Sequence, residues 1–183
     1  MKSIKKVIIV VIVIFITWLL IKPYLRPNYF DFLESRTLRD KVVWTEINNL
    51  NWSDFQFDED FEGTYSQVGL STRYNVNEPI LFRSKTVFDP EKSYSSDTTG
   101  MFELRVAQAK FDLLEIYRRK MVKEVDSLRE IKNLMLVPND FDIMTDRYYK
   151  LFKKEWQKYL EQNIDSKLIS TIEERIKVEL NEK

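Results

Sequence analysis

Residues 101–131 read MFELRVAQAKFDLLEIYRRKMVKEVDSLREI, and this stretch decides the fold. Phe102, Val106, Ala109, Leu113, Ile116, Tyr117, Met121, Val125, Leu128 and Ile131 recur mostly at steps of three and four, the period that lays one apolar stripe along an α-helix. Residues 133–140, which contain Pro138, end that helix, because proline lacks the amide donor and restricts the residue before it. A second helix is expected around residues 148–162. A third carries Ile164, Leu168, Ile172, Ile176 and Leu180 at steps of four, and it either docks on the domain or pairs with a partner helix.

Toward the N-terminus the period changes. Val68, Leu70, Thr72, Tyr74 and Val76 alternate with Gly69, Ser71, Arg73 and Asn75, the pattern of a strand with one covered face. Asn77-Glu78-Pro79 turns the chain, residues 80–88 read as the returning strand, and Asp89-Pro90 stops it ahead of a polar loop over residues 93–100. The expected fold class is therefore α+β: a small antiparallel hairpin followed by a long amphipathic helix and two further helices. Between residues 44 and 61, Trp44, Trp52, Phe55, Phe57 and Phe61 form an aromatic-rich run, expected to fill the core rather than line a ligand groove.

Ahead of this lies a different kind of sequence. Residues 7–21 are apolar apart from Thr17, with Lys2, Lys5 and Lys6 before them and Lys22 and Arg26 after. The expectation is an uncleaved single-pass signal anchor that includes Val7, Ile14, Trp18 and Ile21, with Trp18 and Tyr24 at the interface. No alanine precedes Ala107, so the small-residue pattern of a cleavage site is missing. Pro23 and Pro27 are expected to break the anchor helix. This gives an anchor and exit over residues 1–27 and a domain over 28–183 on the extracytoplasmic side of the inner membrane.

Composition narrows the chemistry. The 183 residues include no histidine and no cysteine, which removes His- or Cys-ligated zinc, cysteine nucleophiles, histidine bases and disulfides. The 29 basic and 29 acidic residues balance and are not segregated, so no nucleic-acid footprint is expected. The only S-x-x-K match, Ser3 to Lys6, lies in the basic leader, and Ser93, Ser95 and Ser96 beside Lys92 follow no recognised hydrolase spacing. Asp58, Glu59, Asp60 and Glu62 with Gly63 offer oxygens, but their spacing fits no known calcium loop, so a solvated acidic turn is expected. No cofactor is expected.

One resemblance sharpens the functional expectation. Gln108, Phe111 and Asp112, followed by Glu115-Ile116-Tyr117-Arg118-Arg119-Lys120, resemble the metal helix and its sequel in a bacterial family of predicted secreted or membrane-linked zinc proteases, domain of unknown function nine hundred and twenty-two. The early Asn51-Trp52-Ser53-Asp54-Phe55 looks like that family's W-x-D-F element. Phe141-Asp142-Ile143-Met144-Thr145-Asp146-Arg147, with Trp156 nine residues later, resembles its Y-D-x-E-T-x-H pattern. The likeness covers about residues 50–160, with the helix 164–180 beyond it, and implies a zincin-like fold.

In H-E-x-x-H helices two histidines four apart grip one ion while the glutamate activates its water. Here Val106, Ala107 and Lys110 stand in those slots, and Met144 and Arg147 replace the downstream glutamate and histidine. These five are vestigial-site positions with no catalytic or metal-binding capacity; Lys110 and Arg147 put cations where ligands would stand, and either share the old cleft, closing it with ion pairs or binding an acidic group, or are plain surface charge. The resemblance implies an inactive, protease-like binding, scaffold or regulatory component with a protein partner in the cell envelope. The alternatives are a hydrolase with an unrecognised site and an unrelated envelope adaptor.

Overall fold

The computed structural model describes residues 2–74, 81–132 and 136–181. The chain divides into two compact units, Met1–Arg39 and Asp40–Lys183. The first is one helix, α1, Lys2–Leu38. It runs on through Pro23 and Pro27, where the sequence predicts a break.

The expected membrane-spanning signal anchor is overturned, and with it the single-pass arrangement. Among the described residues no helix is long and apolar enough to cross a membrane. The apolar run through Val7, Ile14, Trp18 and Ile21 measures only ~22 Å at ~1.5 Å per residue, against a hydrocarbon core of ~30 Å. The helix that contains it also carries Lys2, Lys5 and Lys6 before the run and Lys22, Arg26, Asp31 and Glu34 after it.

The second unit is α+β. Strand β1 (Val42–Val43) is followed by a 3₁₀ turn (Trp52–Asp54), β2 (Gln56–Phe57), β3 (Thr64–Tyr65), β4 (Val68–Tyr74) and β5 (Phe82–Phe88). A second 3₁₀ turn (Pro90–Lys92) and β6 (Tyr94–Ser95) precede α2 (Met101–Lys132), α3 (Pro138–Glu161) and α4 (Ser166–Asn181). The hairpin expected from period-two alternation is present: β4 and β5 pair antiparallel from Val68↔Phe88 to Tyr74↔Phe82. Its expected turn, Asn77-Glu78-Pro79, lies outside the described residues. β1 adds to the other edge of β5, giving the order β1-β5-β4.

A second sheet, β2-β6-β3, is centred on β6, inside the stretch 93–100 where the sequence predicts only a polar loop. Ser93 and Ser95 are fully buried. The Ser93 hydroxyl donates to the Asp89 carbonyl at 2.7 Å and accepts from the Gln67 amide at 2.9 Å, while the Ser95 hydroxyl donates to the Asp97 carbonyl at 2.7 Å. Hydroxyls answered by main chain are at home in a core, and an apolar-periodicity reading does not register them.

Helix α2 is the spine. Along its first half Ala107, Phe111, Leu114 and Ile116 meet Phe55, Val68 and Phe88 from the sheet side, Phe152 and Trp156 from α3, and Ile169, Ile172 and Ile176 from α4. Along its second half Met121 and Val125 meet Phe141 and Met144 of α3, with Tyr74 and Phe82 packed around them. Helix α3 starts at Pro138, ten residues before the expected position, because proline needs no amide partner in a first turn and Asp140 Oδ2 accepts the Val137 amide at 2.9 Å. It ends at Glu161, and two residues on Asn163 holds a left-handed φ of 53° that asparagine tolerates. Asp165 then caps α4, its Oδ1 accepting the Lys167 and Leu168 amides at 3.0 and 2.7 Å.

Phe88 has no exposed surface and meets Phe55 and Phe111 edge-on at 5.0 and 6.2 Å between ring centroids. Phe88→Ala is expected to cost about 3–5 kcal/mol, read as a fall in the urea midpoint with an unchanged slope.

Candidate functional site

Val106, Ala107 and Lys110 all lie on α2, in the helical slot their spacing predicts. Ala107 is buried in the core and Val106 packs against it. Lys110 Nζ donates to the Ser66 carbonyl at 2.5 Å and sits 5.3 Å from the centroid of the Tyr65 ring. No carboxylate pairs with it among the described residues, and burial pushes its amine down to about 8.

Met144 and Arg147 are elsewhere. Met144 is buried against Met121 and Val125. Arg147 donates to Glu124 and lies 5.0 Å from the centroid of the Tyr148 ring, and Tyr148 in turn donates to Glu124 Oε2 at 2.6 Å. Glu124 is fourteen residues beyond Lys110 on the same helix, a separation of about 21 Å along the axis. The structure therefore does not bring Lys110 and Arg147 into one cleft. Helices α2 and α3 run antiparallel, with Arg147 at the level of Glu124 and Glu155 at the level of Tyr117, so Val106 to Lys110 lie still further from Arg147 along α2. Among the described residues no group of three or more acidic, His or Cys side chains is placed to hold a metal ion.

In the acidic turn Asp58 Oδ1 accepts the Asp60 amide at 3.1 Å, and Gly63 takes a φ of 87°, a conformation open to glycine. The aromatic run divides: Phe55 is core and stacks obliquely on Trp52, Phe57 is exposed, Phe61 meets Tyr94, and Trp44 lines a groove.

That groove, of about 690 Å³, lies between the segment after β1 and α4, with α2 as its floor. Trp44, Glu46 and Asn49 form one wall, Ala109, Asp112 and Arg119 the floor, and Glu173, Ile176, Lys177 and Leu180 the other wall. Arg105, Asp112 and Arg119 stand seven apart and so share one side of α2. Arg105 holds the wall residue Glu173 by pairing with it at 2.5 Å, and donates to Ser170 at 3.0 Å. Arg119 closes one end: it donates to the Leu180 carbonyl at 2.7 Å, reaches Glu46 at 3.4 Å and lies 5.1 Å from the Trp44 ring centroid.

Between the two arginines Asp112 has no cationic partner among the described residues. Its Oδ1 accepts from Trp44 Nε1 at 2.7 Å and from Gln108 Nε2 at 2.8 Å, and Gln108 Oε1 holds the Leu50 amide at 2.7 Å. Burial raises the Asp112 carboxyl above its ordinary value, the two hydrogen bonds offset part of that, and the charges of Glu115 and Glu173 add to the rise.

One turn further on, Glu115 is 2% exposed yet fully answered. Arg118 donates to both of its oxygens at 2.7 Å, Arg119 donates at 3.0 Å and Thr86 Oγ1 at 2.8 Å. Burial alone would raise this carboxyl, but the arginine bonds hold it below its ordinary value. The groove escapes a reading aimed at H-E-x-x-H spacing. Its one sequence signal is the seven-residue charge repeat Arg105, Asp112, Arg119 on an otherwise apolar-striped helix.

Compared with protein-family models, with curated proteins and with solved structures, the chain finds no match.

Two substitutions on α2 are expected to act in opposite directions. Glu115→Ala strands Arg118 and Arg119 and is expected to cost about 3 kcal/mol in chemical denaturation. Because the folded carboxyl is depressed, the Glu115 contribution is present above the ordinary carboxylate range and is lost as the pH falls through that depressed value. Lys110→Met removes a desolvated cation and is expected to stabilise by about 1–2 kcal/mol at pH 7. Lys110 is depressed to about 8 from an ordinary 10.5, so that gain is full below pH 8 and shrinks as the pH rises from there toward 10.5.

Proposed function

We propose that this chain is a non-catalytic binding and scaffold module that takes its partner in the groove between the segment after β1 and α4. The observation that carries this reading is how the groove's ionisable groups are employed. Glu173 is held by Arg105, Glu46 is within reach of Arg119, and Asp112 receives the Trp44 and Gln108 donors. A general base acts on a nucleophile or substrate proton held beside it, and no serine or threonine is among the described residues that line this groove. Here the carboxylates instead order the walls of a concave, partly apolar site, which is what recognition uses.

This reading keeps the binding role expected from the sequence but does not pass through a lost metal centre, since Met144 and Arg147 lie about 20 Å along α2 from Val106 and Lys110. Ile176 and Leu180, counted in the sequence as part of a helix that docks or pairs, supply the groove's apolar wall while α4 itself is docked on α2.

The test is purification of the full chain from its native cells, with identification and stoichiometry of whatever remains bound. Asn49→Trp and Lys177→Trp crowd the rim from exposed positions, and both are expected to lose a stoichiometric partner that the wild type and Lys154→Trp, on α3, retain. Retention by the rim variants would overturn the assignment of binding to this groove.

A further inference from the structure

Asp112 and Glu115 lie three residues apart on one helix and have opposite surroundings. Glu115 is matched by two arginines, whereas the Asp112 carboxylate faces a 690 Å³ groove with only neutral donors on Oδ1. Its Oδ2 has no protein partner among the described residues. A partly desolvated carboxylate without a cation is costly, and a matching charge offsets that cost. The walls on either side are apolar in their middle, with the Trp44 indole on one and Ile176 and Leu180 on the other. Such walls suit an aliphatic stem ending in a charge.

The flanking charges limit what that cation belongs to. Arg105 and Arg119 sit seven residues to either side of Asp112, about 10 Å away along the helix. A second positive charge on the same ligand, at the spacing of a linear polyamine, would run into one of them. Of the three carboxylates among the described residues that line the groove, Glu173 is paired with Arg105 and Glu46 with Arg119, which leaves Asp112 to match a single cation on an apolar stem.

Building on the binding reading above, we propose that the groove receives one lysine or arginine side chain of a partner polypeptide, its ammonium or guanidinium group paired with Asp112 and its stem against Trp44, Ile176 and Leu180. Electrostatic complementarity of this kind fixes register and specificity at an interface, and an arginine reaching one carboxylate between apolar walls has the character of an interface anchor.

The indole N–H of Trp44 donates to Asp112, so its nitrogen–proton resonance reports directly on the site. It is one of four tryptophan indoles in the chain, and Trp44→Phe identifies it. The full-length ¹⁵N-labelled protein is titrated with N-acetyl-arginine amide, N-acetyl-lysine amide, the neutral isostere N-acetyl-citrulline amide, and spermidine. A saturable Trp44 shift is expected with the two cationic amides, about tenfold or more weaker with citrulline and equally weakened in Asp112→Asn. Asparagine keeps an oxygen for Trp44 and Gln108, so that variant is expected to fold, checked before titration by unchanged resonances of the other three indoles, Trp44 itself shifting with its acceptor.

Equal response to citrulline, or an undiminished response in Asp112→Asn, would overturn the cation assignment. Preference for spermidine would overturn the side-chain source in favour of a free amine. A response seen only after Lys177→Ala would show the chain's own lysine as the occupant and would also overturn it. If no probe shifts Trp44 while the partner still depends on Asn49 and Lys177, the cation assignment falls and the binding reading stands; if the rim variants keep their partner as well, both fall.

Discussion

The arrangement of the second unit depends on one buried carboxylate. Glu115 sits at the centre of α2 with almost no exposure, where an ionised group is tolerated only when hydrogen bonds and counter-charges surround it. Those partners come from across the fold. Thr86 brings in β5, and the Ser84 carbonyl accepts Arg118 at 3.1 Å, so the polar inward positions of an otherwise ordinary strand become the sheet's attachment to α2. Arg119, held by Glu115 on one side, uses its remaining donors on the last turn of α4 and on Glu46. The groove's closed end and the place of the Trp44 ring follow from that commitment.

Helix α4 illustrates how apolar and charged contacts divide the work. Ile169, Ile172 and Ile176 are buried against α2 and supply the non-directional part of the docking. A stripe of similar aliphatic residues at regular steps tolerates a slip by one turn with modest loss. Charge pairs do not: Arg105 must find Glu173 and Ser170, and Lys120 must find Glu179 at 2.7 Å. Arg175 joins Glu179 to Glu155 of α3, and Glu155 also accepts from Tyr117 and Tyr159. One register satisfies all of these together, a specifying use of charge comparable to that at helix interfaces with mixed pattern.

What the sequence revealed follows from which forces leave a period. The alternation in residues 68–74, the stripe on α2 and the isoleucines of α4 are legible because each buries one face of a regular element. The start of α3 is not, because residues 138–147 put only Phe141 and Met144 in the core and the helix there rests on Pro138 and Asp140. The second sheet is hidden for a related reason: its strands are two residues long and its centre is polar. At the N-terminus fifteen apolar residues read as an anchor when taken alone, but the helix that holds them continues with charged residues through Pro23 and Pro27. The five vestigial-site letters share a pattern in one dimension, but α2 is long and α3 returns along it, so sequence order places Met144 and Arg147 against residues 121–125. Trp44 and Asp112 are 68 positions apart, and no local period marks such a pair.

The contrast between Asp112 and Glu115 bears on what the fold itself requires. Glu115 needs its charge, since two arginines point at it and a neutral replacement would leave them facing each other. Asp112 holds Trp44 and Gln108 through a single oxygen, a task an amide oxygen performs equally well. Its negative charge is therefore surplus to the architecture, and because burial and the neighbouring Glu115 and Glu173 raise its carboxyl, that charge opposes folding at neutral pH. The opposition persists above the raised value and is relieved as the pH falls through it. A charge that costs stability, gains no partner within the described fold and borders a groove is most simply explained by what enters the groove.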